Sequence, residues 1–179
     1  VTYHGRAAHA AAAPQAGRNA LDAAVLGYVN VAALRQHIRP DERIHGIFTE
    51  AGQAANVVPE RAAATWMVRS PTVRGLEKLK ARVLACLEAG AAAAGCTMDH
   101  HWLEPAFADM VDNGPMIERY GANLARTGRT LLDPSDLSSI VGSTDMGNVS
   151  HVVASIHPMI AVSPPTVAIH TQDFVRYAG

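Results

Sequence analysis

Large aromatic side chains are scarce in this 179-residue chain, at 5% of residues, although hydrophobic residues together make up 49%. Much of that apolar content is alanine, a composition that indicates helices packed through small side chains. The formal net charge is −1 and no basic stripe is present, so nucleic-acid binding has no electrostatic basis. No run of about 18 apolar residues occurs, which predicts that no segment spans a membrane.

Cysteine is also rare, with Cys86 and Cys96 as the two representatives. They do not form a metal-type pair, and two isolated thiols suit a reducing compartment better than a disulfide scaffold, which predicts a cytoplasmic protein. The chain begins at Val1-Thr2-Tyr3 with neither an initiator methionine nor a signal peptide, so we expect a fragment of a longer protein.

The hydrophobic pattern of the first hundred residues predicts six elements. Alternation predicts strands and three- to four-residue spacing predicts helices. In chain order they are a strand before Gly5, a helix from about Asn19 to Pro40, strands 43–50 and 62–69, a helix from Leu76 to about Ala93, and a strand 97–102. This order is that of an α+β ferredoxin-like domain, a βαββαβ unit with a four-stranded antiparallel sheet and two helices on one face.

The pattern changes after Pro105, where we place a boundary that divides the chain into 1–104 and 105–179. The second part predicts a helix over 116–126, a tight polar turn over 142–148 and a short apolar strand over 155–162. Asp145 and His170 are expected at the carboxyl ends of strands, which is where open α/β sheets bind ligands.

Five residues are candidates for a functional site. His9 lies in a loop of small residues, where an imidazolium would be free to reach a carbonyl oxygen. Asn56 offers an amide donor, and Arg69 offers a planar fork that matches a carboxylate. Asp145 and His170 complete the set. On their own these residues also fit roles without function. The histidine in the loop would simply be solvated, the asparagine would belong to a turn, the arginine would be a surface charge, and the two strand-end residues would be structural.

The whole chain resembles the second half of a two-zinc aminoacylase/carboxypeptidase-type metallopeptidase, an amidohydrolase family. The resemblance is carried by Gly5–His9 with Pro14 and Asn19-Ala20, by Asn56–Pro59 with Arg69, by Gly142–Ser150, and by His170-Thr171-Gln172-Asp173-Phe174. The last two motifs are most similar to the p-aminobenzoyl-glutamate hydrolase and dipeptide amidohydrolase branch. The resemblance implies that 1–104 is a lid, or dimerisation, domain and that 105–179 is the C-terminal part of a catalytic domain with an incomplete α/β fold.

The resemblance also implies a chemistry. Family members hydrolyse the amide of N-acyl amino acids or short peptides with a free carboxylate, using two zinc ions. His9 matches the lid histidine that stabilises the oxyanion, usually from the neighbouring subunit of a homodimer. Asn56 matches a lid residue that contacts substrate, and Arg69 matches the one that binds its carboxylate. His170 matches the last zinc ligand, and Asp145 lies in the matching active-site turn.

The chain departs from the family pattern in its metal ligands. The remaining ligands of the family come from His-x-Asp and Glu-Glu motifs, and neither motif occurs in these residues. We therefore expect the chain alone to bind no zinc pair and to hydrolyse nothing. Two alternatives stay open: a non-enzymatic dimerisation or small-molecule-binding module, and a regulatory amino-acid-binding domain of ferredoxin-like fold, which would leave the motifs after residue 142 unexplained.

Overall fold

The structure, a computed structural model, describes residues 1–131, 143–164 and 166–177. They divide into two compact units. The first unit comprises Val1–Asp109 together with Ser143, and the second comprises the other described residues from Met110 onward. The assignment of residues 105–179 to a catalytic domain stays a prediction.

The first unit has the six elements in the predicted order. They are β1 Thr2–His4, α1 Ala20–Arg35, β2 Arg43–Glu50, β3 Arg61–Arg69, α2 Val73–Ala93 and β4 Thr97–Asp99, and a short 3₁₀ helix, Pro14–Ala16, lies between β1 and α1. The four strands form one sheet in the order β2-β3-β1-β4, and every neighbouring pair is antiparallel. The predicted ferredoxin-like α+β fold is therefore confirmed for this unit, and β2 and β4 are its edge strands.

The core lies between one face of the sheet and the two helices. Strand residues that point to this face alternate with exposed ones, as a sheet covered on one side requires. One buried cluster is built around Tyr3 from alanines of α1, β3 and α2, and a second combines Val31, Ile44, Leu79, Val83 and Leu87. The small side chains let both helices lie close to the sheet.

Two glycines set the distance between α1 and α2. A Cβ at Gly90 would lie 2.5 Å from the Ala23 carbonyl oxygen and 2.5 Å from the Gly27 nitrogen, both of them backbone atoms of α1. A Cβ at Gly27 would lie 2.5 Å from the hydroxyl oxygen of Tyr3. The helices thus touch through their backbones at this crossing, and the Tyr3 hydroxyl fills the space beside it, where it donates to the Leu87 carbonyl oxygen at 3.3 Å.

The second unit contains shorter elements, α3 Gly114–Ala125, α4 Met146–Ser150 and a 3₁₀ helix Phe174–Tyr177. The predicted strand over 155–162 is wrong, because none of these residues belongs to a strand and Ser155 forms a single isolated bridge, in parallel with Asp112. A strand needs a hydrogen-bonded neighbour, and an apolar run does not by itself supply one. Among the described residues no helix is long and apolar enough to cross a membrane.

Replacing Gly90 with alanine should destabilise the first unit. Alanine favours helix, but the added methyl group meets rigid backbone of α1, so we expect the free energy of unfolding to fall by about 1–3 kcal/mol. Urea denaturation followed by circular dichroism measures the change. Gly114→Ala is the matched control, since a Cβ there meets nothing within 4 Å. Equal stability of the two variants would show that the helices do not touch at Gly90.

Burial raises the pKa of Tyr3 from 10.0 to about 12. The folded state therefore favours the neutral phenol, and its stabilising contribution is complete below pH 10 and is lost as the pH rises towards 12. We expect the free energy of unfolding to fall by about 2–3 kcal/mol over this window through Tyr3 alone. Tyr3→Phe removes the titrating group, so denaturation curves of that variant should show a shallower decline. Parallel declines would contradict the assignment.

Candidate functional site

The loop that carries His9 is joined to the segment that precedes β3. Val58 N–H donates to the Ala8 carbonyl oxygen at 2.9 Å, and Ala10 N–H donates to the Asn56 carbonyl oxygen at 3.0 Å. His9 itself forms an antiparallel bridge with Val57. These bonds fix the backbone on both sides of His9, although the loop contains no regular element of its own at this position.

The small residues of the motif around His9 permit this close packing. A Cβ at Gly5 would lie 2.0 Å from the Arg18 carbonyl oxygen, and a Cβ at Gly17 would lie 2.9 Å from the Val58 side chain. Asn19 has a separate task, since its side-chain oxygen accepts from the backbone N–H of Leu21 at 2.9 Å and so caps α1. Most of the motif is thus structural, and it leaves the exposed imidazole of His9 as its chemical group.

Asn56 lies beside this loop at the same end of the sheet. Its backbone holds Ala10, while its side chain is exposed. The structure therefore brings the backbones of two sequence-predicted residues side by side, and their exposed side chains, an imidazole and a carboxamide, can each donate a hydrogen bond. Side chains of both kinds occur as donors in oxyanion sites.

Arg69 lies at the other end of the sheet, as the last residue of β3. Its Nη1 donates to the hydroxyl oxygen of Ser143 at 2.8 Å, and its Nη2 lies 3.0 Å from the sulfur of Met67. Along β3 the nine residues from Arg61 make eight steps of about 3.3 Å, so the two ends of the strand are roughly 26 Å apart. The structure thus does not bring Arg69 to His9 and Asn56.

A second arginine accompanies Arg69 and was missed in the sequence analysis. Arg43 is its direct partner across β2 and β3. Within the described part of the chain neither guanidinium has a carboxylate at ion-pair distance. The Arg43 guanidinium donates to the carbonyl oxygens of Pro40 and Glu42, whereas Arg69 is held by a hydroxyl and a thioether, so of the two it is Arg69 that is better suited to an anionic ligand. Pairing the predicted strands 43–50 and 62–69 side by side and antiparallel would have placed Arg43 opposite Arg69.

Asp145 and His170 belong to the second unit. Asp145 is the N-cap residue of α4 and is exposed, but its side chain makes no capping bond. The hydroxyl oxygen of Thr144 accepts from Met146 N–H at 3.3 Å instead. Residues 166–169 contain no strand, so the expected strand end before His170 is wrong. Gly142, the first residue of the polar turn, lies outside the described residues.

His170 has an unusual backbone. Its φ of 63° is in the left-handed region, and it is the one non-glycine residue with positive φ among those described. Such a conformation costs free energy for a side chain with a Cβ, and residues that keep it concentrate at ligand-binding sites. The backbone geometry at His170 is therefore compatible with a role as a ligand.

The described residues do not form a metal centre. No group of three or more His, Cys, Asp or Glu side chains lies close enough together in residues 1–131, 143–164 and 166–177 to hold a metal ion. A two-zinc site needs several protein ligands, so His170 and Asp145 do not fit such a centre without further residues.

The comparison with known families decides the identity of the first unit. Residues 1–94 match the model of the peptidase dimerisation domain. The chain belongs to this family. The match includes His9, Asn56 and Arg69, and it ends before β4 and the second unit, so it says nothing of Asp145 and His170.

Individual relatives extend the comparison beyond the peptidase dimerisation domain. A Xaa-Arg dipeptidase of Mus musculus is 36% identical over 180 aligned residues, which cover 100% of this chain and 42% of the relative. One of the subunits of the p-aminobenzoyl-glutamate hydrolase of Escherichia coli is 34% identical over 90 residues, 50% of this chain and 19% of the relative. The resemblance inferred from the sequence motifs is confirmed, and the chain spans about two fifths of the length of the dipeptidase it matches.

A solved structure supports the fold. The amidase of the hydantoinase/carbamoylase family from Burkholderia vietnamiensis superposes with a TM-score of 0.65 at 22% identity, covering 84% of this chain and 36% of that one. At that identity the likeness concerns the fold alone and not the ligands.

Proposed function

We propose that this chain is the lid, with part of the catalytic domain, of a zinc-dependent hydrolase that cleaves the amide bond of dipeptides or N-acyl amino acids with a free carboxylate. The observation that carries the proposal is the match to the Xaa-Arg dipeptidase, since it runs through both units and not through the dimerisation domain alone. The cytoplasmic location predicted from the isolated cysteines is part of the same proposal.

In this proposal the two ends of the lid sheet have different tasks. Arg69 binds the substrate carboxylate through its planar guanidinium. His9 and Asn56 donate hydrogen bonds to the carbonyl oxygen as it gains negative charge. A dipeptide is at most about 7 Å long, far less than the roughly 26 Å length of β3, so one substrate cannot touch both ends of the same lid. We infer that each substrate meets Arg69 of one subunit and His9 of another.

The zinc ions are the part of the proposal that this chain does not support alone. Its described residues do not fit a two-zinc centre, so the remaining ligands are assigned to polypeptide outside these 179 residues, and His170 is assigned as the one ligand from within them. Asp145 is assigned to the same region, with no defined step.

The lid has a surface that suits the dimer required by this division of tasks. One face of α1 packs in the core, yet the opposite face carries Val25, Leu26 and Val29, which are 43%, 39% and 56% exposed. A helix that is apolar on both faces is normally covered on both. Beside it β2 is an edge strand of eight residues with no second neighbour among the described strands, and such an edge is a template for pairing with another chain.

The charges of β2 favour a second copy as the partner. The strand begins with Arg43 and ends with Glu50. When two identical strands pair antiparallel around a two-fold axis, the first residue of one lies opposite the last residue of the other. Each end of the paired strands then brings Arg43 of one copy towards Glu50 of the other, whose carboxylate also accepts from Arg61 Nε at 2.8 Å, and charges of opposite sign at the strand ends favour this register.

Val29→Lys should weaken the homodimer. A lysine on the outer face of α1 places a charge in the proposed apolar contact, so we expect the dissociation constant to rise at least about tenfold. Sedimentation equilibrium gives the constant. Met67→Lys is the matched control, because Met67 is similarly exposed, at 53%, but lies on the sheet face away from the helices. Similar dissociation constants for both variants would move the interface elsewhere.

The division of tasks between subunits is tested by mixing two defective chains of the complete hydrolase, the form that carries its metal centre. His9→Ala and Arg69→Ala each remove most dipeptide hydrolysis when present in every subunit. Equal co-expression yields mixed dimers in which one of the two sites has no substitution. We expect recovery of about one quarter of the wild-type activity, since half of randomly formed dimers are mixed.

The other outcomes are equally informative. Absence of recovery, with mixed dimers verified by mass spectrometry, would place His9 and Arg69 in the site of the same subunit. Full activity of either single variant would remove that residue from catalysis. A complete protein that dimerises but hydrolyses no dipeptide or N-acyl amino acid would favour the binding-module alternative.

A further inference from the structure

The ring of His9 is held by the backbone of its own loop. The N–H groups of Ala11 and Ala12 both point at Nδ1 of the imidazole, with nitrogen–nitrogen distances of 3.3 Å and 3.2 Å. A ring nitrogen accepts a hydrogen bond through its lone pair, which it lacks when it carries a proton. In this arrangement the proton of the neutral ring is therefore on Nε2, the nitrogen that faces away from the loop.

The local sequence explains why these two amides are available. Ala13 N–H donates to the His9 carbonyl oxygen at 3.0 Å and closes one turn of chain after the histidine. Inside such a turn the N–H groups of the second and third residues after its start have no backbone acceptor. The side chain of the first residue is well placed to accept from them, as capping residues do at helix starts. Alanine at positions 11 and 12 leaves room for the ring.

We propose that the amides of Ala11 and Ala12 fix His9 as the neutral Nε2–H tautomer, so that it serves the oxyanion as a neutral donor and not as the imidazolium expected from the sequence. A doubly protonated ring would direct an Nδ1–H group at two other N–H donors. The tautomer follows from the loop geometry alone, whereas its use towards an oxyanion rests on the proposed function. Ala11 and Ala12 are positioning residues that act through His9.

This arrangement gives the reaction a donor that needs no change of protonation to become competent. A general acid gives its proton away, but a tautomer-locked imidazole keeps the Nε2 proton and shares it with the developing charge. The amides also prevent the ring from presenting Nδ1 to substrate. The orientation of the donor is therefore set before substrate arrives, which is what preorganised oxyanion sites require.

The tautomer is read directly by long-range ¹H–¹⁵N correlation spectra of the full chain labelled at histidine and recorded at alkaline pH. We expect His9 to give the pattern of a single Nε2–H tautomer. His101 is the internal control, an exposed histidine whose ring makes no hydrogen bond to any other described residue, and its two nitrogens should show averaged shifts. Averaged shifts at His9, or a proton on Nδ1, would overturn the inference.

Two matched variants separate the two ring nitrogens. In His9→Asn the side-chain oxygen occupies the place of Nδ1, so the amides of Ala11 and Ala12 keep an acceptor. In His9→Gln the amide reaches towards the place of Nε2 and that acceptor is lost. Amide hydrogen exchange at positions 11 and 12 should stay within about twofold of wild type in the asparagine variant and rise about tenfold in the glutamine variant. Equal exchange in both variants would contradict the proposed contact.

Catalysis supplies the readout that distinguishes this inference from the proposed function. In the complete hydrolase both variants should lower kcat, because neither keeps an imidazole Nε2–H on an ordered loop. If the spectra show the single tautomer but both variants keep wild-type kcat, the tautomer stands and the oxyanion role of His9 fails. If kcat falls while the spectra show averaged tautomers, the proposed function survives and the tautomer lock is excluded.

Discussion

The contact between α1 and α2 through Gly27 and Gly90 governs the first unit. Because the helices meet backbone to backbone, both lie close enough to the sheet for alanines and Tyr3 to fill the space beneath them. A core made of small side chains has few large anchors, so its stability depends on close approach more than on the size of any residue. The scarcity of aromatic residues and the abundance of alanine are two aspects of this one arrangement.

The lid could be predicted from the sequence because its elements are specified locally. Alternation in β2 and β3 and the spacing in α1 and α2 depend on residues within one element, and the order of six elements leaves few topologies. The second unit was predicted less well. Residues 155–162 look like a buried strand, but strand formation depends on a pairing partner, and pattern alone does not tell whether one is present.

The candidate site was predictable in composition but not in arrangement. His9, Asn56 and Arg69 were identified by their motifs, and the structure places the first two together at one sheet end. Their separation from Arg69 follows from strand length and sheet order, which are properties of the whole domain. The state of the His9 ring could not be predicted, because it depends on where two backbone N–H groups point after a single turn.

The length of β3 has an evolutionary consequence. The strand sets the distance between the proposed carboxylate-binding end and the proposed oxyanion end, and each inserted or deleted pair of residues would change that distance by about 7 Å. Loops such as the one after β2 absorb insertions at little cost, whereas β3 does not. Related lids should therefore vary in loop length while their third strand keeps its number of residues, and a lid with a longer third strand should act on a differently spaced pair of subunits.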